Sequence, residues 1–288
     1  MSTYDDRPAC PACGKEPTQR FGPDLLRCRY CGLAYYAVQM SSGTVAGLYG
    51  EDYFHGDEYY NYVEQRPALD ANFRRRLRSI ETYLQPNANI VELGCAYGFF
   101  LAIIRERVGS HIGFDISGPA VTYARDILGV KATTEDFLTW RSTDPVDMVF
   151  MWDFIEHVTE PEAFIAKCSA VLRPGGRIAL TTGDIGAFVP RLRGVRWRMV
   201  HPPTHVFYFT VPALAAMMQR HGLKIVRVRH PAVWRNAYAM LDQVARARQH
   251  GVLADLGRHL PRLRWLQHID VPLNLLDIME VVAVKAGG

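Results

Sequence analysis

The 288-residue chain is 49% hydrophobic and 22% charged with a net charge of +4, enough apolar material for one full-sized core and a smaller second unit. No apolar run approaches the roughly 18 residues of a bilayer-spanning helix, and Met1 to Lys15 lacks a basic flank followed by an apolar stretch, so a cytoplasmic protein with no membrane partner is expected. Basic residues gather in two short clusters, Arg74, Arg75, Arg76 and Arg78, then Arg191, Arg193, Arg196 and Arg198; neither is long enough to imply a nucleic-acid partner, and neither excludes one.

Four of the six cysteines form two Cys-x-x-Cys-Gly knuckles, Cys10 to Gly14 and Cys28 to Gly32, with fourteen residues between the pairs. Two residues between cysteines let one tight turn aim both sulfurs at one ion, and the glycine lets the backbone turn back without a Cβ clash. Two such knuckles make a closed tetrahedral site for a structural Zn2+ with Cys10, Cys13, Cys28 and Cys31 as ligands. Residues 1–40 thus resemble a zinc ribbon, a module too small to fold without its metal.

Residues 41–67 read as a linker followed by an aromatic-rich segment with Tyr53, Phe54, His55, Tyr59 and Tyr60, suited to packing between units or to a lid over a ligand. From Ala68 to Leu84, Phe73, Leu77, Ile80 and Leu84 recur at helical spacing until Pro86 stops the pattern. Asn89 to Leu93 then reads as a buried strand, Gly94-Cys95-Ala96-Tyr97-Gly98 as a tight turn, Phe99 to Val108 as a helix, His111 to Asp115 as a second strand and Ser117 to Leu128 as a second helix. Glycines in the first turn and an acid closing the second strand suit a nucleotide-like ligand, whose ribose hydroxyls the acid would accept.

Glu92-x-Gly94-x-Ala96-x-Gly98 resembles motif I of the class I S-adenosylmethionine-dependent methyltransferases, with Ala96 in place of the middle glycine. Four further segments keep that family's order: Asp115-Ile116-Ser117; Glu135-Asp136-Phe137; Trp152-Asp153-Phe154-Ile155-Glu156-His157-Val158 after a strand at Val146 to Met151; and Leu172-Arg173-Pro174-Gly175-Gly176 before a strand at Ile178 to Thr182. The resemblance, to the small-molecule, methyltransferase 11/23-like type, spans roughly residues 68–230. It implies a doubly wound, seven-stranded, Rossmann-like α/β fold over 68–288 with strand order 3-2-1-4-5-7-6. It also implies S-adenosylmethionine as cofactor: Gly94, Cys95, Gly98 and Glu92 at its amino-acid end, Asp115 on the ribose, Ile116 on the adenine, Asp136 and the Phe137 amide at the adenine edge, and Trp152 and Asp153 near the methionyl portion.

Two inserts depart from a minimal member of that family. Residues 183–208 follow the fifth strand and carry Arg191, Arg193, Arg196, Arg198, His201 and His205 on the ligand-binding face. A hydroxyl acceptor must lose a proton, and histidine suits that task near neutral pH; His205, His157 and His201 are the candidate catalytic bases, in that order. Residues 231–277 read as a helical insert, with helices at Ala237 to Arg248 and Val252 to Leu260, acting as a lid or a homodimer surface. The expected reaction is O- or N-methylation of a small-molecule substrate. The alternatives are an RNA methyltransferase that holds RNA with its ribbon, and a non-catalytic zinc-ribbon scaffold.

Overall fold

The computed structural model describes residues 9–16, 18–37, 63, 65–238, 240–241, 265–266 and 269–287. The aromatic segment 49–62 and the expected helix at 252–260 lie outside the described residues, as does most of the one at 237–248. No described helix is long and apolar enough to cross a membrane.

The ribbon contributes three short strands, β1 (Thr18–Arg20), β2 (Leu25–Cys28) and β3 (Ala34–Tyr36). A helix at Arg66–Ile80 leads into β4 (Asn89–Leu93), β5 (Ser110–Phe114), β6 (Ala132–Thr133), β7 (Val146–Trp152) and β8 (Leu172–Gly183), with helices at Phe99–Ile104, Gly118–Asp126 and Pro161–Val171 between them. There follow β9 (Phe207–Tyr208), a helix at Val211–Gln219, β10 (Leu223–Arg229), the pair β11 (Val233–Asn236) and β12 (Asp270–Leu273), and β13 (Ile278–Lys285).

The large sheet runs β6-β5-β4-β7-β8-β13-β10, the order 3-2-1-4-5-7-6 of the class I methyltransferase fold. Strands β4 to β8 are parallel, whereas β13 is antiparallel to both its neighbours. Both faces are covered, so the central strands carry apolar residues on both sides instead of a regular apolar–polar alternation. Along β7, Val149 and Met151 enter one core while Met148, Phe150 and Trp152 enter the other. On the second face the helix Arg66–Ile80 lays Phe73, Leu77 and Ile80 against Phe100 and Ile104, the stripe expected from its periodicity.

Three local departures have identifiable causes. The helix expected over Phe99 to Val108 is regular only to Ile104 and tightens to a 3-10 turn at Arg105–Arg107, because Gly109 and Ser110 must both donate their amides to the Ala88 carbonyl to open β5. Strand β8 begins at Leu172, six residues before the expected Ile178, since β7 pairs with it from Leu172 onward, with a register shift over the Gly175-Gly176 turn. The expected helical insert at 231–277 includes a two-stranded β-ribbon, β11–β12, in which Pro272 is tolerated because neither strand has a second neighbour.

The N-terminal ribbon is packed into the larger unit. Its sheet is completed by β9, with Ala34 opposite Tyr208 and Tyr35 opposite Phe207. Cys10, Ala12, Leu33 and Tyr35 share one apolar cluster with Val206, Phe209, Leu214 and Met218. Arg220 Nη2 donates to the Pro11 carbonyl at 2.6 Å, and the Thr210 hydroxyl donates to the Cys31 carbonyl.

Candidate active site at the carboxyl ends of the strands

Two acids lie at the carboxyl ends of the adjacent strands β4 and β5. Glu92, on β4, is buried, and its Oε2 has no hydrogen-bond partner among the described residues. Burial, reinforced by the nearby Asp115 charge and opposed by Arg76, raises its pKa. Asp115, just past β5, accepts the Ala96 amide on Oδ2 at 2.8 Å and the Ser117 amide on Oδ1 at 2.9 Å. Burial raises its pKa, with those two amides pulling the other way. Each oxygen keeps further acceptor capacity, as a bound diol requires.

The glycines of the motif I turn serve packing as much as ligand approach. A Cβ at Gly94 would stand 2.7 Å from the Phe154 ring, and one at Gly98 would stand 2.9 Å from Ala124 and Val130. Cys95, buried, sits under Gly113, where any Cβ would come within 2.6 Å of its sulfur. Ala96 occupies the left-handed region at φ 45°, so the position keeps the conformation of the missing glycine at a steric cost of about 1–2 kcal/mol. Ala96→Gly is therefore expected to stabilise the fold by about 0.5–1 kcal/mol after glycine's larger unfolded-state entropy is subtracted, read as a higher urea midpoint.

The adenine-side residues divide by exposure. Ile116 is 60% exposed at the strand end, an apolar platform in solvent. Asp136 is exposed, with Oδ1 accepting the Leu138 amide at 2.9 Å. The Phe137 ring points away into the core, with centroids 5.3 Å from Phe114 and 6.0 Å from Trp140, so this residue offers a ligand only its backbone.

At the end of β7, Trp152 is largely a core side chain, stacked on Phe150 and edge-on to Phe100, with Nε1 buried and without a partner among the described residues. Asp153 is fixed by Arg76, whose Nη2 donates to Oδ2 at 2.6 Å, and by the Thr181 hydroxyl at 2.8 Å. Burial opposes its charged form, but Arg76 and Thr181 outweigh burial and lower its pKa. The Arg76 guanidinium also lies 5.3 Å from the Trp152 ring centroid. Sequence reasoning placed Arg76 only in a basic cluster; the available signal was its place next to Leu77 on the buried stripe.

The three candidate histidines come together. The Glu156 carbonyl accepts the amides of Val206 at 2.9 Å and Phe207 at 3.1 Å, which stitches the loop after β7 to the segment entering β9. His157 and His205 rings then meet edge-on with centroids 4.5 Å apart, and His201 lies 3.9 Å from His205. His157 Nδ1 contacts the Thr204 carbonyl at 3.0 Å and His205 Nδ1 the Met199 carbonyl at 2.9 Å. Burial pulls the pKa of His157 down to about 4, and burial with the neighbouring His157 and His201 pulls that of His205 down to about 2. Both rings are neutral at pH 7. Glu156, which sequence reasoning noted only within its motif, lies beside them at 2% exposure, with burial and then the Asp153 charge pushing its pKa up to about 8.

The four ribbon cysteines also converge: Cys10 Sγ is 3.5 Å from Cys31 Sγ, Cys13 Sγ is 3.6 Å from Cys28 Sγ, and all four sulfurs lie within 4.8 Å of one another. A tetrahedral Zn2+ with bonds of about 2.3 Å needs sulfur–sulfur edges of about 3.8 Å, so the donor set fits that ion.

A family profile described as "Methyltransferase domain" matches residues 62–228, more than half of the chain. Among curated proteins, the chain is 28% identical over 155 residues to a ubiquinone biosynthesis O-methyltransferase of Cupriavidus pinatubonensis, a match covering 49% of this chain and 61% of that protein. Among solved structures, the [4+2]-cyclase SpnF superposes with a TM-score of 0.52 at 19% identity, covering 76% of this chain and 82% of that one. A putative methyltransferase from Bacillus halodurans C-125 superposes with a TM-score of 0.53 at 13% identity, covering 75% and 99%. At such identities the structural matches speak for the fold alone. With five motifs in order, this strand topology and a family match over most of the central sheet, the chain belongs to the methyltransferase domain family of the class I S-adenosylmethionine-dependent fold.

Proposed function

We propose that the protein transfers a methyl group from S-adenosylmethionine to a hydroxyl oxygen of a small-molecule acceptor. The observation that carries this reading is the Asp115 carboxylate, clamped by the Ala96 and Ser117 amides at the end of β5, beside a buried Glu92 oxygen that lacks a donor among the described residues. A ribose diol and an ammonium group complement those two acids. Gly94, Cys95 and Gly98 would border the amino-acid end, Ile116 and the Phe137 backbone the adenine with Asp136 at its edge, and Trp152 and Asp153 the methionyl portion. When bound, S-adenosylmethionine supplies a sulfonium methyl: the acceptor oxygen forms the new C–O bond, the C–S bond breaks with its electron pair left on sulfur, and the hydroxyl proton departs.

The chain's own part is alignment and acceptance of that proton. Their lowered pKa values make His205, which is buried, and His157, which is half-buried, poor proton acceptors at neutral pH, and this reorders the candidates. His201, the remaining member of the trio and also half-buried, is the proposed base. The relatives' printed name, a ubiquinone biosynthesis O-methyltransferase, supports an oxygen acceptor. The ribbon would hold a structural Zn2+ on Cys10, Cys13, Cys28 and Cys31, with no coordination position left for a substrate.

Calorimetric titration with S-adenosylmethionine tests this reading. Wild-type protein should bind at micromolar levels and Asp115→Ala at least about 100-fold more weakly, about 2.7 kcal/mol. His201→Ala should bind the cofactor as wild type does while losing turnover with any acceptor found by screening. Absence of binding by folded, zinc-loaded wild type would overturn the assignment.

A further inference from the structure

Beyond the four-cysteine cluster, one other group of side chains among the described residues has the composition and spacing to hold a metal ion: Glu156, His157 and His205, with one ligand atom from each, all within 4.8 Å of one another. We propose that these three residues form a second metal site, a two-histidine, one-carboxylate centre for a divalent cation such as Zn2+ or Co2+, distinct from the ribbon.

Three features of the cluster point to a cation rather than to ordinary packing. Both carboxylate oxygens of Glu156 are buried without a hydrogen-bond partner among the described residues. A buried carboxyl group left without hydrogen-bond partners is costly, and a cation that takes its oxygens removes that cost. Each histidine turns Nδ1 to a backbone carbonyl, His157 to Thr204 and His205 to Met199. Donation to a carbonyl requires the proton on Nδ1 and leaves the lone pair on Nε2, the arrangement by which metal-binding imidazoles are usually oriented. The two segments are also tied together: the Glu156 carbonyl takes two amides from residues 206 and 207, so ligands some fifty residues apart in sequence are joined by direct backbone contact.

Asp153 is not part of this donor set, since Thr181 occupies one of its oxygens and Arg76 the other. Three protein ligands leave at least one coordination position open, which is the pattern of a catalytic rather than a structural centre. Mixed imidazole and carboxylate donors select a borderline divalent ion over the softer ions that thiolates prefer. The site lies on the loop directly after Trp152 and Asp153, on the side of the sheet proposed for the methyl donor. An acceptor hydroxyl bound at the open position would lose its proton more readily, passing it to His201 or to water, before its oxygen attacks the methyl carbon. That role rests on the methyltransferase reading; the existence of the site does not.

The test uses the full chain with its ribbon already loaded with Zn2+, titrated with Co2+ and followed by visible absorption. One further equivalent of Co2+ per chain is expected, with d–d bands but no sulfur-to-cobalt charge transfer. Glu156→Gln and His205→Asn should each weaken that equivalent by at least tenfold while still binding S-adenosylhomocysteine, which reports both the fold and, separately, the cofactor reading. The cobalt-edge X-ray absorption spectrum of wild type, in which imidazole rings give a distinct scattering pattern, decides the matter should either variant fail to fold. Absence of a second equivalent, bands showing thiolate ligation only, a cobalt spectrum without imidazole, or equal affinity in wild type and folded variants would each overturn the proposal. Loss of S-adenosylhomocysteine binding by wild type with cobalt binding intact would overturn the methyltransferase reading and leave the metal site standing.

Discussion

Chelation of the Zn2+ proposed for the ribbon cysteines should unfold residues 9–37 and also loosen the segment that carries His201 and His205. The ribbon's strands are three or four residues long, and much of its apolar surface is shared with the catalytic unit. Metal binding to comparable four-ligand modules contributes roughly 10–16 kcal/mol, far more than strands of this length can supply. Without it, β3 would release β9 and the shared cluster of Tyr35, Phe207 and Phe209 would open to water. Hydrogen exchange on zinc-loaded and chelated protein checks this: protection should vanish in 9–37, fall sharply in 199–210, and persist in β4, β7 and β8. Unchanged protection at 199–210 would show that the catalytic unit holds that segment unaided.

Arg227→Leu should be the most damaging single substitution outside the site. Glu280 on β13 is 1% exposed, and its carboxylate accepts the Ser79 hydroxyl at 2.8 Å and Arg227 Nη2 at 2.7 Å. Arg227 on β10 also donates to the Ser79 carbonyl, so one guanidinium joins two strands and the end of the helix Arg66–Ile80. Removing one partner of a buried pair leaves the other charge uncompensated, at about 3–5 kcal/mol. Urea denaturation should show that loss. The double variant Arg227→Leu with Glu280→Leu should recover part of it, because no stranded charge remains. A single variant within about 0.5 kcal/mol of wild type would mean that solvent reaches Glu280.

The parts legible from sequence were those written in contiguous residues. Strand Asn89–Leu93 falls at its expected bounds, since a short, mostly apolar run closed by a glycine turn has few other uses in a doubly wound sheet. The knuckle cysteines likewise carry their geometry in their spacing. What could not be read depends on contacts across long separations. Strand β9 is two residues long, and nothing in Phe207-Tyr208 announces that its partner is Ala34-Tyr35. In sequence each of the three histidines fits the role of base on its own; the paired amides of Val206 and Phe207 on the Glu156 carbonyl bring them into one cluster. Arg76 was hidden by its basic neighbours, although only it reaches Asp153.

The seam between β3 and β9 also has a thermodynamic reading. Fixing a backbone residue costs about 1–2 kcal/mol in conformational entropy, and a loop that orders only on ligand arrival subtracts that cost from affinity. Here the residues just beyond His205 are already held, with the Tyr36 amide on the Val206 carbonyl at 2.8 Å and the Tyr208 hydroxyl on the His205 carbonyl at 2.8 Å. The ordering is thus charged to folding, and through the ribbon to the Zn2+ proposed for its cysteines. Linkage makes the relation reciprocal: whatever the proposed Zn2+ contributes to acceptor affinity, a bound acceptor would return as tighter retention of that ion.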